Sequence, residues 1–347
     1  MTPRWITRGA RAALVVGVVA TSCAATFADR PDTAGRAAAA RAASDDFLDR
    51  YVEPDGRVVR RDQGGDTVSE GQAYALLITV ATGDRARFAR VWTWTAQHLQ
   101  RPDGLLSWHW ADGHVVDPEA AADADLDAAR ALVFAAERFD EPSYLDQARR
   151  IGGAVLDQET ATLGGRLVLV AGPWARQPPV RLNPSYIAPQ TFTALAGVTG
   201  DRRWMQLIDS GVADLRELTA GDLPPDWAEV EDDGSAQPTS SPAGETPHYG
   251  YDAARVPLRL GEACAPGSRD IAANLWPRLR GRRNQHPVGF VGAAAAAGAT
   301  GDYGARDRLL AAAQSRDAQQ PTYYGAAWVA LGRIMLTTDF LGSCRAR

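Results

Sequence analysis

Three acidic segments carry the residues best suited to proton transfer, and the first runs from Asp66 to Tyr74. Ser69 can cap a helix whose first turn contains Glu70, where a carboxylate interacts favourably with the helix dipole even without a catalytic role. Gly71 is costly inside a helix, so it indicates that another group approaches this backbone closely. The dipole lowers the pKa of Glu70, and a general acid here would need burial or a second carboxylate to raise it.

The second acidic segment, from Asp117 to Ala129, places Asp123, Asp125 and Asp127 at the start of a predicted helix. Residues two apart point to different faces of a helix, so at least one of these carboxylates should face the interior. A solvated acidic helix start is the alternative that involves no function. The segment lacks the glycine and the bidentate glutamate of a calcium-binding loop, so we do not expect it to bind calcium.

The third segment, from His248 to Pro257, contains Asp252 and Arg255 on one predicted helix face. An exposed ion pair at this spacing stabilises a helix by only about 0.2–0.5 kcal/mol. In a pocket, the same arginine would keep Asp252 ionised and ready to accept a proton.

Aromatic residues accompany these acids. The chain has ten Trp and nine Tyr, and several of them, such as Trp108, Trp110 and Trp174, lie between predicted helices. Aromatic rings at helical spacing usually belong to the core, whereas rings in loops beside carboxylates can form platforms for the flat faces of sugars. Two carboxylates beside indole rings are the composition of a glycosidase cleft.

Apolar residues at three- and four-residue spacing predict twelve helices that would position these groups. Strand patterns are few, and Arg166 to Ala171 is the best candidate, as part of a short hairpin. The predicted helices cover 36–50, 69–82, 85–100, 123–138, 143–157, 185–199, 203–217, 251–262, 268–281, 287–299, 303–315 and 322–337.

A Thr-Gly-Asp sequence occurs three times between predicted helices, beginning at Thr82, Thr199 and Thr300. The glycine suits the left-handed position that ends a helix, and the aspartate suits the N-cap of the next helix. A favourable turn can also recur by chance, but twelve helices fit an all-α ring of six stacked hairpins. Long loops separate some helices, and residues 231–247, rich in Pro, Ser, Gly and acids, predict disorder or a mobile flap.

Composition argues against several classes of protein. The formal net charge of −5 disfavours a nucleic-acid partner. All 37 basic residues are arginine, which excludes Schiff-base lysines and P-loop lysines. The five histidines form no His-Glu-x-x-His motif and the three cysteines form no Cys-x-x-Cys pair, so we expect neither a metal ion nor a cofactor.

The N-terminal residues have the order of a secretory signal, with arginines followed by an apolar run and small residues. We therefore expect removal of residues 1–28, export, and a single extracellular domain over 29–347 without a membrane span. Lipid attachment at Cys23, which would tether the protein to the cell surface, and a retained N-terminal anchor are the alternatives. Export would permit a disulfide between Cys264 and Cys344, although the sequence does not show that they meet.

Short motifs spread over residues 65–325 resemble glycoside hydrolase family 8, the endoglucanase family that includes the cellulase encoded with bacterial cellulose synthase. Each motif alone is weak, but together and in this order they are specific. The motifs are Thr67-Val68-Ser69-Glu70-Gly71-Gln72, Leu106-Ser107-Trp108-His109-Trp110, Ala121-Ala122-Asp123-Ala124-Asp125, Asn183-Pro184-Ser185-Tyr186, Pro225-Asp226-Trp227, Tyr251-Asp252-Ala253-Ala254-Arg255-Val256, Val288-Gly289-Phe290 and Tyr323-Tyr324.

This resemblance implies an (α/α)6 barrel whose long loops form a glycan cleft, in agreement with the twelve predicted helices. It also implies inverting, endo-acting hydrolysis of a β-1,4-linked glucan such as cellulose. Glu70 matches the family's general acid, and Asp252 matches the base that activates water. Asp123 matches the carboxylate that holds the sugar at the cleavage point.

The resemblance also implies supporting residues around this centre. Trp108 resembles the residue on which a sugar stacks in this family, and Trp110 is the alternative for this role. Arg255 and Tyr186 match residues that support the reacting groups, and Tyr251 falls in the same substrate-binding set. We expect a monomer whose partner is the polysaccharide substrate.

The motifs depart from the family pattern at Ala73, Ala122 and Ala128, which bears on how the substrate is placed. Two alternatives therefore stay open. One is the same barrel acting on xylan, chitosan or another exopolysaccharide, and the other is a non-catalytic glycan-binding protein of the cell envelope. The presence of both Glu70 and Asp252 argues against the second alternative.

Overall fold

The computed structural model describes residues 33–283 and 286–343. The predicted signal segment 1–28, with its lipid-attachment cysteine, lies outside these ranges, as does Cys344. Cys264 is disulfide-bonded, and its predicted pairing with Cys344 stays an expectation. Within the described ranges, the helices are too short or too polar to cross a membrane.

The described residues form twelve α-helices, the number that the sequence predicts. They are α1 (Thr33–Tyr51), α2 (Ser69–Thr82), α3 (Arg85–His98), α4 (Ala122–Arg138), α5 (Ser143–Gln158), α6 (Pro189–Thr199), α7 (Arg203–Leu218), α8 (Val256–Gly261), α9 (Ser268–Leu279), α10 (Pro287–Ala299), α11 (Tyr303–Gln319) and α12 (Tyr323–Thr337). Helices α2 and α10 have the predicted bounds.

Two predicted helices begin several residues later than expected. The predicted range 185–199 is a 3₁₀ turn at Pro184–Tyr186 followed by α6, which starts only at Pro189. The residue before a proline is disfavoured in the helical region, which separates the two pieces. The predicted range 251–262 is a 3₁₀ turn at Ala253–Arg255 followed by the short helix α8.

The even-numbered helices form a closed inner ring. In this ring α2 contacts α4, and the contacts continue through α6, α8, α10 and α12 back to α2. The odd-numbered helices pack outside, with α1 on α12, α3 on α2, α5 on α4, α7 on α6, α9 on α8 and α10, and α11 on α10. Small residues permit close contacts, since a Cβ at Gly292 would lie 2.3 Å from the Ala254 carbonyl oxygen. This architecture is an (α/α)6 barrel, as the resemblance implies.

The repeated Thr-Gly-Asp turns all have the predicted left-handed glycine, and two of the three have the predicted aspartate N-cap. Their glycines are left-handed, with φ of 82° at Gly83, 69° at Gly200 and 88° at Gly301. Asp84 and Asp302 then cap α3 and α11 by accepting a hydrogen bond from a backbone N–H three residues on. In the middle turn, Asp201 accepts a hydrogen bond from the backbone N–H of Arg203, only two residues on. Helix α7 accordingly starts two residues after its aspartate, whereas α3 and α11 start one residue after theirs.

Three small antiparallel sheets lie in the described loops. They are β1–β2–β3 (Thr67–Val68, His109–Ala111, His114–Asp117), β4–β5 (Thr160–Leu163, Arg166–Leu169) and β6–β7–β8 (Val180–Leu182, Ala228–Val230, Ala236–Pro238). The hairpin expected at Arg166 is confirmed as β4–β5. The disorder expected over 231–247 is wrong for strand β8, because backbone pairing with β7 orders it.

Ion pairs between α4 and residues 255–262 cross the inner ring. The described pairs are Asp123–Arg255, Asp127–Arg259 and Arg130–Glu262. In each pair the partners are 132 residues apart, so the two segments run parallel in register. Buried charges are costly unless they are paired, so each member of the row depends on its partner, and Arg255 lies at one end of the row.

Candidate active site

Glu70 lies in the first turn of α2, where the helix meets loop 106–108. The backbone N–H of Ser69 donates a hydrogen bond to the carbonyl oxygen of Trp108 at 2.9 Å. The predicted cap by Ser69 is wrong, because the helix starts at Ser69 itself and Val68 occupies the N-cap without a side-chain hydrogen bond. The Ser69 hydroxyl lies instead 3.5 Å from Oε2 of Glu70.

The carboxyl of Glu70 has the raised pKa that a general acid requires. Burial is the main cause and repulsion from Asp123 is the second, and together they raise the pKa of Glu70 to about 7. Arg255 and Arg60 act in the opposite direction. The rise in the pKa of Glu70 from burial and from the second carboxylate therefore exceeds the lowering by the helix dipole. A general acid at this position needs this rise, as the sequence indicates.

Gly71 is explained by Tyr323, which approaches the backbone of α2. A Cβ at Gly71 would lie 2.8 Å from the Tyr323 hydroxyl oxygen and 3.2 Å from its ring. This hydroxyl is buried and has no hydrogen-bond partner among the described residues. The prediction that another group lies close to this backbone is confirmed, and the group belongs to the start of α12.

Arg255 joins the two other predicted acids. Its Nη1 donates to Oδ2 of Asp123 at 2.7 Å, and its Nη2 donates to Oδ1 of Asp252 at 2.8 Å. The Arg255 and Asp123 side chains are only 3% and 2% exposed, whereas Asp252 is 31% exposed. The structure therefore groups Asp123 behind Asp252, with the latter open to solvent.

Two residues that sequence reasoning left without a role hold Asp252 in place. Nδ2 of Asn183 donates to Oδ2 of Asp252 at 2.8 Å. Oδ1 of Asp226 accepts hydrogen bonds from the backbone N–H groups of Gly250 at 3.0 Å and Ala253 at 2.7 Å, on either side of Asp252. The only signal in the sequence was that Asn183 and Asp226 belong to the recognised motifs.

All three acids at the start of α4 are buried, so the alternative of a solvated acidic start is wrong. Asp123, Asp125 and Asp127 are 3%, 0% and 1% exposed. Asp127 pairs with Arg259, and Oδ1 of Asp125 accepts a hydrogen bond from the backbone N–H of Leu106 at 2.8 Å. Because α4 belongs to the inner ring, each face of its first turn meets protein.

Tyrosines surround the guanidinium of Arg255. The predicted Tyr186 is buried, with its ring centroid 5.5 Å from the Arg255 guanidinium carbon. Tyr74, which was not predicted, accepts a long hydrogen bond of 3.4 Å from Nη1 of Arg255. Burial raises the pKa of both phenols well above the ordinary value, so they remain neutral hydroxyls.

The two tryptophans proposed as platforms have different environments. The Arg57 guanidinium lies 4.2 Å above the ring of Trp110, and the Trp94 ring contacts the same indole edge-on at 5.4 Å. Trp108 is half-buried and has His109 as its aromatic neighbour at 4.9 Å. One face of Trp110 is thus covered, which favours Trp108 as the platform.

Further rings are exposed near the Asp252 turn. Tyr251 is 49% exposed, and its backbone carbonyl accepts a hydrogen bond from the Tyr324 hydroxyl at 3.3 Å. Trp174 is 40% exposed and its ring lies 6.1 Å from that of Trp227. Trp227 follows Asp226 directly, so this aromatic pair adjoins the segment that holds Asp252.

The described residues contain no group of three or more His, Cys, Asp or Glu side chains arranged to hold a metal ion. The clustered carboxyls instead pair with arginines or with backbone N–H groups. The arrangement can therefore transfer protons through its own acids, one with a raised pKa and one held by two donors.

Comparison with known proteins agrees with this geometry. The sequence profile of the glycosyl hydrolases family 8 matches residues 14–324. A protein named probable endoglucanase, from Novacetimonas hansenii, is 38% identical over 223 residues, which cover 61% of this chain and 64% of that protein. An endoglucanase from Cellulomonas uda is 31% identical over 229 residues, covering 64% of this chain and 63% of that protein. The matches thus span slightly less than two thirds of these relatives.

Solved structures show the same fold. The endo-β-1,4-glucanase CMCax from Acetobacter xylinum has a TM-score of 0.71 at 30% identity, covering 86% of this chain and 97% of that chain. A β-1,3-1,4-glucanase from Paenibacillus sp. X4 has a TM-score of 0.77 at 18% identity, a likeness of fold alone, and covers 89% of this chain and 93% of that chain. By its sequence profile, its barrel and its clustered acids, the chain belongs to glycosyl hydrolase family 8.

Proposed function

We propose that this protein is an endo-acting hydrolase of β-1,4-linked glucan that inverts the configuration at the anomeric carbon. The observation that carries the proposal is that Arg255 donates hydrogen bonds to both Asp123 and Asp252. The charge of Asp123 in turn raises the pKa of Glu70. Inverting glycosidases use one protonated carboxyl and one carboxylate in this way. The relatives named endoglucanases support glucan as the substrate.

Glu70 acts as the general acid. Because its pKa is raised to about 7, a large fraction of the carboxyl carries its proton at neutral pH and below. It donates this proton to the glycosidic oxygen as the bond between that oxygen and the anomeric carbon breaks. The leaving sugar therefore departs as an alcohol, and Glu70 is left as a carboxylate.

Asp252 acts as the general base. A water molecule attacks the anomeric carbon from the face opposite the leaving oxygen, and Asp252 takes one of its protons. Hydrogen bonds from Arg255 and Asn183 fix the Asp252 carboxylate before the substrate arrives. The anomeric carbon then has the inverted configuration. Proton exchange with solvent returns Glu70 to its protonated form and Asp252 to its carboxylate form.

Asp123 supports both the substrate and the acid. It holds the sugar at the cleavage point, and its carboxylate is the charge that most raises the pKa of Glu70 after burial. The proton affinity of the acid then depends on a residue that itself binds substrate. A substitution at Asp123 should therefore change the pH profile as well as the rate.

The half-buried ring of Trp108 and the exposed rings of Tyr251 and Trp174 extend the binding surface on both sides of the acids. Trp108 lies on the side of Glu70, since its carbonyl oxygen accepts from the backbone at the start of α2. Tyr251 directly precedes Asp252, and Trp174 contacts Trp227, which follows Asp226. A long glucan stacked on rings at both ends fits internal cleavage rather than removal of terminal units.

We infer that the protein is exported, because residues 1–28 have the order of a secretory signal. N-terminal sequencing of the protein from the culture medium tests this inference. A chain beginning near residue 29 would support cleavage, whereas recovery of the unprocessed chain from the cytoplasm alone would contradict export.

The activity is tested by the release of reducing ends from carboxymethyl cellulose and the accompanying loss of viscosity. The wild type is compared with Glu70→Gln, which cannot donate a proton and should lose at least about a hundredfold in rate. Glu137→Gln is the matched control, because this exposed residue lies at the opposite end of α4, about 20 Å from Asp123. NMR detection of the α-anomer as first product tests inversion.

Two results would contradict the proposal. A folded wild type that releases no reducing ends would exclude the glucan, and xylan and chitosan would be assayed next. A Glu70→Gln variant as active as Glu137→Gln would exclude Glu70 as the acid.

A further inference from the structure

His109 and Trp108 present their rings on the same side of the chain. Neighbouring residues in a regular strand point to opposite faces, yet these ring centroids are 4.9 Å apart. The pairing of β2 with β3 shifts its register between His109 and Trp110. The extra residue of this bulge is Val116 in β3, and Trp108 precedes the first residue of β2, so the alternation of a regular strand does not apply to Trp108 and His109. The chain therefore presents an imidazole beside the half-buried Trp108 ring.

A salt-bridged carboxylate fixes one edge of this imidazole. Nε2 of His109 lies 2.7 Å from Oδ2 of Asp66, and Asp66 also accepts hydrogen bonds from Nε and Nη2 of Arg60 at 2.8 Å and 2.5 Å. Burial raises the pKa of Asp66, but its bonds to Arg60 outweigh burial and leave the pKa below its usual range. Asp66 is therefore a carboxylate that only accepts, and Nε2 of His109 must donate.

The opposite edge of the ring is open. In the neutral imidazole, donation by Nε2 leaves Nδ1 as an acceptor. This nitrogen makes no hydrogen bond to the described residues, and 23% of the His109 side chain is exposed. Arg60 acts electrostatically on Glu70, so the cluster lies within electrostatic range of the proposed general acid. An oriented acceptor therefore lies beside an aromatic platform, without a hydrogen-bond partner among the described residues.

We propose that His109 is a substrate-binding residue whose Nδ1 accepts a hydrogen bond from a hydroxyl of the glucosyl unit stacked on Trp108. A sugar lying flat on an indole directs its equatorial hydroxyls outward along the ring plane, toward a neighbouring imidazole. Asp66 and Arg60 act as positioning residues, because they fix the tautomer of His109. This assignment rests on the proposed glucanase function and adds a specificity contact to it.

Two isosteric variants separate binding from a structural role. His109→Gln keeps an amide N–H near the position of Nε2, so it can still donate to Asp66, but it has no acceptor at the Nδ1 position. His109→Asn places its amide oxygen near the Nδ1 position and cannot reach Asp66. If His109 binds substrate, His109→Gln is the weaker binder. If His109 only holds the loop, His109→Asn is the more damaged variant.

Affinity is measured by titrating cellohexaose into each variant in the Glu70→Gln background, which prevents turnover. We expect His109→Gln to weaken binding about tenfold, the loss of one hydrogen bond, and His109→Asn to retain most of the affinity. In otherwise wild-type enzyme, His109→Gln should raise KM with little change in kcat. In a Trp108→Ala background, His109→Gln should have no further effect, because the sugar is no longer held beside it.

Equal affinities of Glu70→Gln and Glu70→Gln/His109→Gln would overturn this assignment while leaving the glucanase function intact. The reverse order of the two His109 variants would also overturn it. If Glu70→Gln binds no cellohexaose and the wild type cleaves no glucan, the proposed function fails and the His109 assignment fails with it.

Discussion

Asp127 and Arg259 form an ion pair across the barrel, with 1% of each side chain exposed. Nη1 and Nη2 of Arg259 donate to the two carboxylate oxygens of Asp127 at 2.9 Å and 2.6 Å. The pair lies about one helical turn from the Asp123–Arg255 pair at the proposed catalytic centre. Because neither charge reaches water, each depends on the other for compensation.

Arg259→Met should therefore be strongly destabilising, by about 3–5 kcal/mol, since it leaves Asp127 buried and unpaired. Asp127→Leu/Arg259→Met should recover most of this loss, because it removes both charges. Urea denaturation measures the effect. The control is Arg149→Met, whose exposed pair with Asp146 should contribute at most about 1 kcal/mol. A double variant as unstable as the single would contradict the pairing argument.

The pH profile should report the raised pKa of Glu70. The proposed general acid must carry its proton, so kcat/KM on carboxymethyl cellulose should fall as pH rises through about 7, the value to which burial and Asp123 raise this pKa. Asp123→Asn removes the like charge, so its descending limb should move to lower pH, in addition to any loss of rate.

Asp209→Asn is the matched control for this shift, since Asp209 is an exposed residue on outer helix α7. Its profile should overlay that of the wild type. A descending limb that stays in place in Asp123→Asn would show that burial alone raises the pKa of Glu70.

Local signals in the sequence predicted much of the fold. The Gly83-Asp84 turn, for example, needs a left-handed residue and then an N-cap, and both requirements can be read within a few positions. Gly71 indicated a close neighbour for the same reason, because a glycine inside a helix is unfavourable without one. The neighbour itself, Tyr323, lies about 250 residues away, so its identity required the structure.

Two of the site residues that were missed act through Asp252. Asn183 and Asp226 orient Asp252 across gaps of 69 and more than 20 residues, and no local pattern marks such a contact. The choice between Trp108 and Trp110 likewise depends on Arg57, which covers a face of Trp110 from another loop. Ser69 shows that a local signal can also mislead. Serine is a good N-cap residue, but here Val68 is the N-cap and Ser69 is the first residue of the helix.

Glu159 should make stability depend on pH. It is fully buried, and neither carboxyl oxygen has a hydrogen-bond partner among the described residues. Burial, followed by repulsion from Asp125, raises the pKa of Glu159 well above its ordinary value. The folded protein then keeps this proton, while the unfolded chain releases it above about pH 4.3. The free energy of unfolding therefore falls as the pH rises above about 4.3.

Glu159→Gln should remove this pH-dependent loss of stability. The free energy of unfolding should rise by about 1–3 kcal/mol at pH 8 and change little at pH 4, because the carboxyl is neutral in both states there. Thermal and urea unfolding at both pH values measure the difference. Glu137→Gln is the control, since that exposed carboxyl should give no pH-dependent gain. The same effect of Glu159→Gln at both pH values would contradict the argument.

Gly71→Ala should distort the start of α2 and with it the position of Glu70. The added Cβ would lie 2.8 Å from the Tyr323 hydroxyl oxygen, closer than real Cβ contacts allow. Overpacking of this kind costs about 1–3 kcal/mol, and displacement of the acid should lower kcat more than it raises KM. Unfolding free energies and kinetics on carboxymethyl cellulose measure the two effects.

Tyr323→Phe should rescue Gly71→Ala, because it removes the hydroxyl and leaves ring carbons at 3.2 Å and 3.3 Å from the new Cβ. By itself, Tyr323→Phe should be neutral or slightly stabilising, since that buried hydroxyl has no hydrogen-bond partner in the described part of the chain. The double variant should thus be more stable and more active than Gly71→Ala alone. If the two substitutions were simply additive, the contact with Tyr323 would not be the reason for glycine beside the proposed general acid.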